Sequence, residues 1–253
     1  MEVTIRQTQI RINHQYVVRL AWALAVGGVA LALAPKQNWW WLAMAVVSSI
    51  ELLAVRGQRH PLRQFIIPVI MGTCVVLVMT LIPRLASQIG LALAYTLWRW
   101  WWATGEAGRA SLPNLLGLQA MISLAVFLMA VIWGIPAWVL VALLWFLTYS
   151  TVLVVLTARR EPGAQLLAAA WALIASELAW VLQFWLFTYT AQGGYVMIPQ
   201  GVLVITALGY CFGSIYISAR SGSLSRSRLF EYLAIGLVVI IMVVSGTSWK
   251  GAI

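Results

Sequence analysis

The residue in this sequence with the strongest claim to chemistry is Glu177, the only charged side chain in the apolar run 164–190. An ionisable group at the centre of a bilayer costs about 3 kcal/mol, so it needs a reason to be there. A carboxyl in that position serves as a proton carrier or cation ligand, or as a neutral acid hydrogen-bonded to Ser, Thr or Tyr neighbours. Glu51 and Arg99 come next, each about five residues inside the inner end of its apolar run, roughly 8 Å deep at the helical rise. At that shared depth they can form an interhelical ion pair. Alternatively, Glu51 reaches back to Arg56 while Arg99 snorkels to the headgroups among neighbouring tryptophans.

Small and polar residues at helical spacing surround the first candidate: Gln165, Ala168, Ala169, Ala172, Ser176, Ala179 and Gln183. Such a stripe is the face a helix presses against another helix. Glu177 flanks it and is therefore expected to turn toward a bundle interior, with Gln183 as a further intramembrane polar candidate. Gly209-Tyr210-Cys211-Phe212-Gly213 repeats the theme, since glycines four apart let two backbones approach closely, with Thr206 and Ser214 alongside. Ala172, Ser176, Gly209 and Gly213 are thus the expected packing positions.

Other chemistry is thin. The chain holds no aspartate, which removes a Ser-His-Asp triad and paired-aspartate magnesium sites. His14 and His60 stand in polar stretches, and Cys74 and Cys211 each lie inside an apolar run, so neither a zinc cluster nor a histidine-ligated haem is expected and both thiols read as reduced packing residues. No Walker-type phosphate loop occurs. No cofactor is expected.

These residues are carried by a chain that is 63% apolar and 9% charged over 253 positions, with a mean hydropathy of +0.93. A globular domain of that composition would not stay soluble, and continuous apolar runs point to helices rather than a barrel. The expected fold is all-α, a polytopic transmembrane bundle in a single integral membrane domain over 1–253. About nine spans are read, near 17–34, 39–56, 64–82, 86–104, 114–134, 137–158, 164–190, 198–218 and 229–247. Breakers separate them: Pro35, His60-Pro61, Pro83, Gly134-Ile135-Pro136, Pro162-Gly163, and Gly193-Gly194 with Pro199. The first run ends in Ala32-Leu33-Ala34, which resembles a signal-peptide cleavage site, but Pro35 disfavours cleavage and the segment is read as a retained anchor.

Basic residues set the orientation. One side collects Arg6, Arg11, Arg19, Arg56, Arg59, Arg63, Arg99, Arg109, Arg159, Arg160, Arg220, Arg226 and Arg228, and the other only Lys36, Arg84 and Lys250. Thirteen against three places the N-terminus in the cytoplasm and, after nine crossings, the C-terminus outside. The net charge of +10 is scattered between apolar runs, which excludes a nucleic-acid surface and fits anionic lipid headgroups. Arg56, Arg59, Arg63, Arg159, Arg160, Arg220, Arg226 and Arg228 are the expected headgroup contacts.

Many of the fifteen tryptophans, including Trp39–Trp41, Trp98, Trp100–Trp102 and Trp249, fall at interfacial depths as an aromatic belt. A short echo, Leu-Ala-Leu-Ala at 31–34 and again at 91–94 ahead of two tryptophan clusters, is read as compositional chance rather than an inverted repeat.

Three functions fit. The first is a non-catalytic membrane subunit or scaffold that packs against other membrane proteins, in a bacterial plasma or inner membrane. The second is a small transporter, channel or lipid-handling protein using Glu177. The third is an intramembrane enzyme acting on lipid or isoprenoid.

Overall fold

The computed structural model describes residues 24–25, 28–29, 32, 45–49, 63–82, 84–104, 112–184, 188–191 and 196–246. Apart from one short hairpin, these residues are helical. The chain divides into two compact units, Met1–Arg109 and Ala110–Ile253.

In the first unit, α1 (Arg63–Leu81) and α2 (Leu85–Thr104) follow a short helical stretch at residues 45–49. Gly72 of α1 is a close-approach point: a Cβ there would lie 2.7 Å from Val47 and 2.9 Å from the Tyr95 hydroxyl. Ser48 and Thr73 share a hydroxyl hydrogen bond at 3.3 Å across the same contact. The buried Gln88 side chain donates to the Met79 and Ile82 carbonyls at 3.0 and 2.9 Å. It thereby satisfies acceptors that the end of α1 would leave open.

In the second unit, α3 (Leu112–Trp133), α4 (Ala137–Ala158) and α5 (Ala164–Gln183) run antiparallel in succession. An antiparallel hairpin follows, β1 (Thr188–Ala191) with β2 (Val196–Pro199), Tyr189 opposite Ile198. Two more helices complete the unit, α6 (Gln200–Arg220) and α7 (Arg226–Gly246). Gly134 at φ 62° closes α3 with a bond from its N–H to the Ala130 carbonyl, a conformation that suits glycine.

Packing in this unit follows residue size. On α5 the buried face is Ala168, Ala172, Ala175, Ser176 and Ala179, so α4 approaches nearly to backbone contact, as small-residue interfaces permit. On α6, glycines do the same work: Phe127 of α3 lies against Gly201, and Leu112 against Gly213. Large apolar side chains stand on the outside, among them Trp138, Phe146, Leu166 and Phe230. Outward apolar surface of this extent requires hydrocarbon around it.

Four helices among the described residues, α3, α4, α5 and α6, are long and apolar enough to cross a membrane, which marks a membrane protein. The nine crossings read from the sequence are not reproduced. The runs at 17–34 and 39–56 fall mostly outside the described residues. In α1 the apolar stretch among the described residues is Ile66–Leu81, and α2 is diluted by Gln88, Tyr95, Thr96, Arg99 and its tryptophans. The run 164–190 is also shorter as a helix, because α5 stops at Gln183 and the chain enters β1 at Thr188. The all-helical expectation therefore needs correction at this hairpin. Thr-Tyr-Thr at the start of β1 favours a strand.

Candidate functional site

The α4–α5 connection sets up the most structured polar cluster of the second unit. At the end of α4 the Arg160 N–H bonds the Thr157 carbonyl and the Glu161 N–H bonds the Leu156 carbonyl, both at 3.0 Å. This is a Schellman closure with Arg160 at φ 56°, in the left-handed position that usually belongs to glycine. α6 ends the same way on Gly222 at φ 67°, with Gly222 N–H to Ala219 and Ser223 N–H to Ser218. Ser225 then accepts from the Arg228 N–H at 3.3 Å and caps α7.

The two closures lie at one end of the unit, since α4 and α6 both run toward it. They aim Glu161 at α6: the Tyr216 hydroxyl donates to Glu161 Oε2 at 3.0 Å, and Arg220 Nε stands 3.6 Å from the same oxygen. Arg159, Arg160, Arg226 and Arg228 share this end, so it is cationic overall. Glu231, in the second turn of α7, adds one negative charge near this end, while Glu177 lies in the second half of α5, away from it.

Beneath the cluster lies an apolar groove of about 280 Å³ between α5 and α6, floored by α3 and α4. Leu115, Val152 and Leu156 form part of the floor, and Leu167, Trp171 and Ile174 one wall. Gly209 and Gly213, with Phe212 and Tyr216, make the other wall. Trp171 and Phe212 meet across the opening with ring centroids 5.9 Å apart. The glycines keep that wall recessed, because a Cβ on Gly209 would lie 3.3 Å from Trp171 and 3.4 Å from Leu116.

Gln119 is the polar atom set in this apolar floor. It is 2% exposed, and its Nε2 donates to Ser123 and Thr148 hydroxyls at 3.3 and 3.2 Å. Its Oε1 is buried and has no hydrogen-bond partner among the described residues, a deficit of about 1 to 3 kcal/mol when such an acceptor is left dry. The arrangement combines apolar walls, one enclosed acceptor without a partner among the described residues, and a basic rim. Among the described residues, no three His, Cys, Asp or Glu side chains gather as a metal site would require.

The residues singled out from the sequence are dispersed. Glu177 is exposed, on the outward stripe of α5 formed by Leu166, Ala170, Leu173, Ile174, Trp180 and Val181. It does not turn toward the interior as its place beside the small-residue stripe implied. Packing of α4 onto Ala172 and Ser176, both buried, decides the phase and leaves Glu177 on the far side. Gln183 ends α5 half-buried, its Nε2 enclosed without a partner among the described residues. Arg99 is half-buried on α2, while Glu51, Arg56 and Arg59 lie outside the described residues, as does the side chain of Arg63. Arg159 is half-buried, and Arg160, Arg220, Arg226 and Arg228 are exposed. Gly209 and Gly213 receive Trp171, Leu112 and Leu116 of the same unit.

Sequence reasoning passed over Glu161, Tyr216 and Gln119. Glu161 stands between two arginines and a proline at a helix boundary, a signal that could have been followed, but its partner is 55 residues away. No family model, no curated protein and no solved structure matches this chain.

Proposed function

We propose that this chain is a non-catalytic, multi-pass membrane protein that serves as an embedded subunit of a larger assembly, with the outward face of α5 as its contact surface. The observation that carries this reading is Glu177, a single carboxyl on an exposed apolar stripe, six residues from the end of α5 and so about 9 Å inside it. Facing hydrocarbon, it bears the cost of an intramembrane ionisable group. A transmembrane helix of another protein with a basic or hydrogen-bond-donating side chain at that depth would offset that cost and cover the stripe. A transport role would need Glu177 on a polar path, and an enzyme would need converging reactive groups; the dispersed carboxyls support both less well.

The arginine-rich end of the second unit faces the cytoplasm in this reading, in a bacterial plasma or inner membrane. The N-terminus is then cytoplasmic and the C-terminus outside. Arg159, Arg160, Arg220, Arg226 and Arg228 lie against anionic headgroups, each contributing about 1 kcal/mol.

Photocrosslinking in native membranes tests the assembly. A photoreactive amino acid at Leu173 or Trp180 should join the chain to one protein of discrete mass, and the same group at buried Ala172 should not. Glu177→Leu should abolish the adduct. Adducts to lipid alone from every position would reject the subunit reading.

A further inference from the structure

We infer that the groove between α5 and α6 is a binding site for one anionic phospholipid, with an acyl chain between the helices and the headgroup at the Glu161–Tyr216–Arg220 rim. Three independent features converge on this occupant. The walls are apolar and recessed by Gly209 and Gly213, which fits a flexible hydrocarbon chain. The opening faces outward from the bundle, where Ile174 and Phe212 are exposed, so in a membrane the first molecule to meet it is lipid. The end that reaches the interface is basic: Glu161 is held by Tyr216 and Arg220, and the remaining positive charge of Arg159, Arg160 and Arg220 faces whatever lies above.

Gln119 gives the site a polar stop. Its Oε1 is enclosed in the groove's floor with no partner among the described residues, away from the rim formed by Glu161 and Arg220. The phosphate therefore does not reach it. The phosphate belongs to Arg220, whose exposed guanidinium can turn from Glu161 to a bidentate phosphate contact without unfolding either helix.

The inference uses the arginine-rich end and not Glu177, and it shares only Ile174, at the groove's edge, with the outward face of α5; the crosslinks from Leu173 and Trp180 report on the assembly and lipid retention on the groove, so either reading can fail without the other. Lipid retention is measured on the purified protein. Native mass spectrometry during titration with dioleoyl phosphatidylglycerol or dioleoyl phosphatidylcholine should reveal one phosphatidylglycerol held at least tenfold more tightly than phosphatidylcholine, above a background of weak adducts. Ile174→Trp, which fills the opening, should remove that one lipid and leave the background. Arg220→Gln, at a side chain 59% exposed, should keep the fold and bring the two lipids within about twofold of each other.

A phosphatidylglycerol bearing a diazirine on its acyl chain supplies a measurement on the unaltered protein. It should label segments 167–174 and 209–216 in preference to the outward residues Leu233 and Leu237 of α7, and excess phosphatidylcholine should not reduce the labelling. Uniform labelling of all outward helices, equal retention of the two lipids, or a tight lipid that survives Ile174→Trp would each overturn the site. So would finding a protein helix seated in the groove.

Discussion

Glu177 and Ser176 are adjacent in sequence and opposite in fate, and the difference governs what substitution does at each. Ser176 is buried against α4, so Ser176→Leu or Ala172→Leu must separate two helices packed on small residues. We expect a loss of about 1 to 3 kcal/mol in unfolding free energy, measured by denaturant titration in detergent. Glu177 is exposed, outside the buried face that meets that interface. Glu177→Gln and Glu177→Leu should each leave the purified protein within about 0.5 kcal/mol of its parent, with Glu177→Leu alone losing the complex in native membranes. A large loss of stability in the purified Glu177→Leu protein would mean that the carboxyl has an internal role. The small-residue stripe was legible from spacing in part: Ala168, Ala172, Ser176 and Ala179 are buried as expected of a packing face, while Gln165 is exposed and buried Ala175 was not included. The side on which Glu177 falls was not, since a residue at the flank of a stripe is assigned to interior or exterior only by the breadth of the helix packed there.

Helix ends carry the next lesson. The α4 boundaries, Ala137–Ala158, coincide with the expected 137–158, because Pro136 starts the helix and a turn of charged residues stops it. α5 defeated the same reasoning at its C-terminal end: Phe184 to Leu186 continue the apolar run, and hydrophobicity does not distinguish a helix from a short buried strand. The groove was illegible for a different reason: each of its four helices contributes residues at ordinary helical spacing, and only tertiary packing brings those far-separated segments together. At the α4–α5 turn, Arg160 occupies a left-handed backbone position that costs an L-residue about 1 kcal/mol. Arg160→Gly should therefore raise stability by about that amount, with a higher melting temperature in detergent, whereas Gly222→Ala at the matching turn of α6 should lower it. Equal melting temperatures for Arg160→Gly and the parent would show that the arginine's contacts offset the strain.

At the scale of the whole molecule, the proposed orientation of the second unit can be tested directly, because its arginines gather at one helix end. Reporters fused after Arg160 and after Ser223 should both report the cytoplasmic side, and reporters inserted at Ile135 or Gly193 the opposite side; Arg160 and Ile135 on one side would overturn the orientation. The four apolar helices contain 22, 22, 20 and 21 residues, or about 33, 33, 30 and 32 Å at the helical rise. A hydrocarbon layer near 30 Å therefore suits all of them, and a thicker one strains α5 first because it is shortest. That helix also carries Glu177 near its end, so each ångström of added bilayer sinks the carboxyl further from the headgroups. In a series of phosphatidylcholines of increasing acyl length, thermal stability should peak at intermediate chains, and Glu177→Leu should shift the peak toward longer ones. Acyl length would then act on this protein as a sorting cue, favouring thinner membranes wherever Glu177 has no partner to shield it.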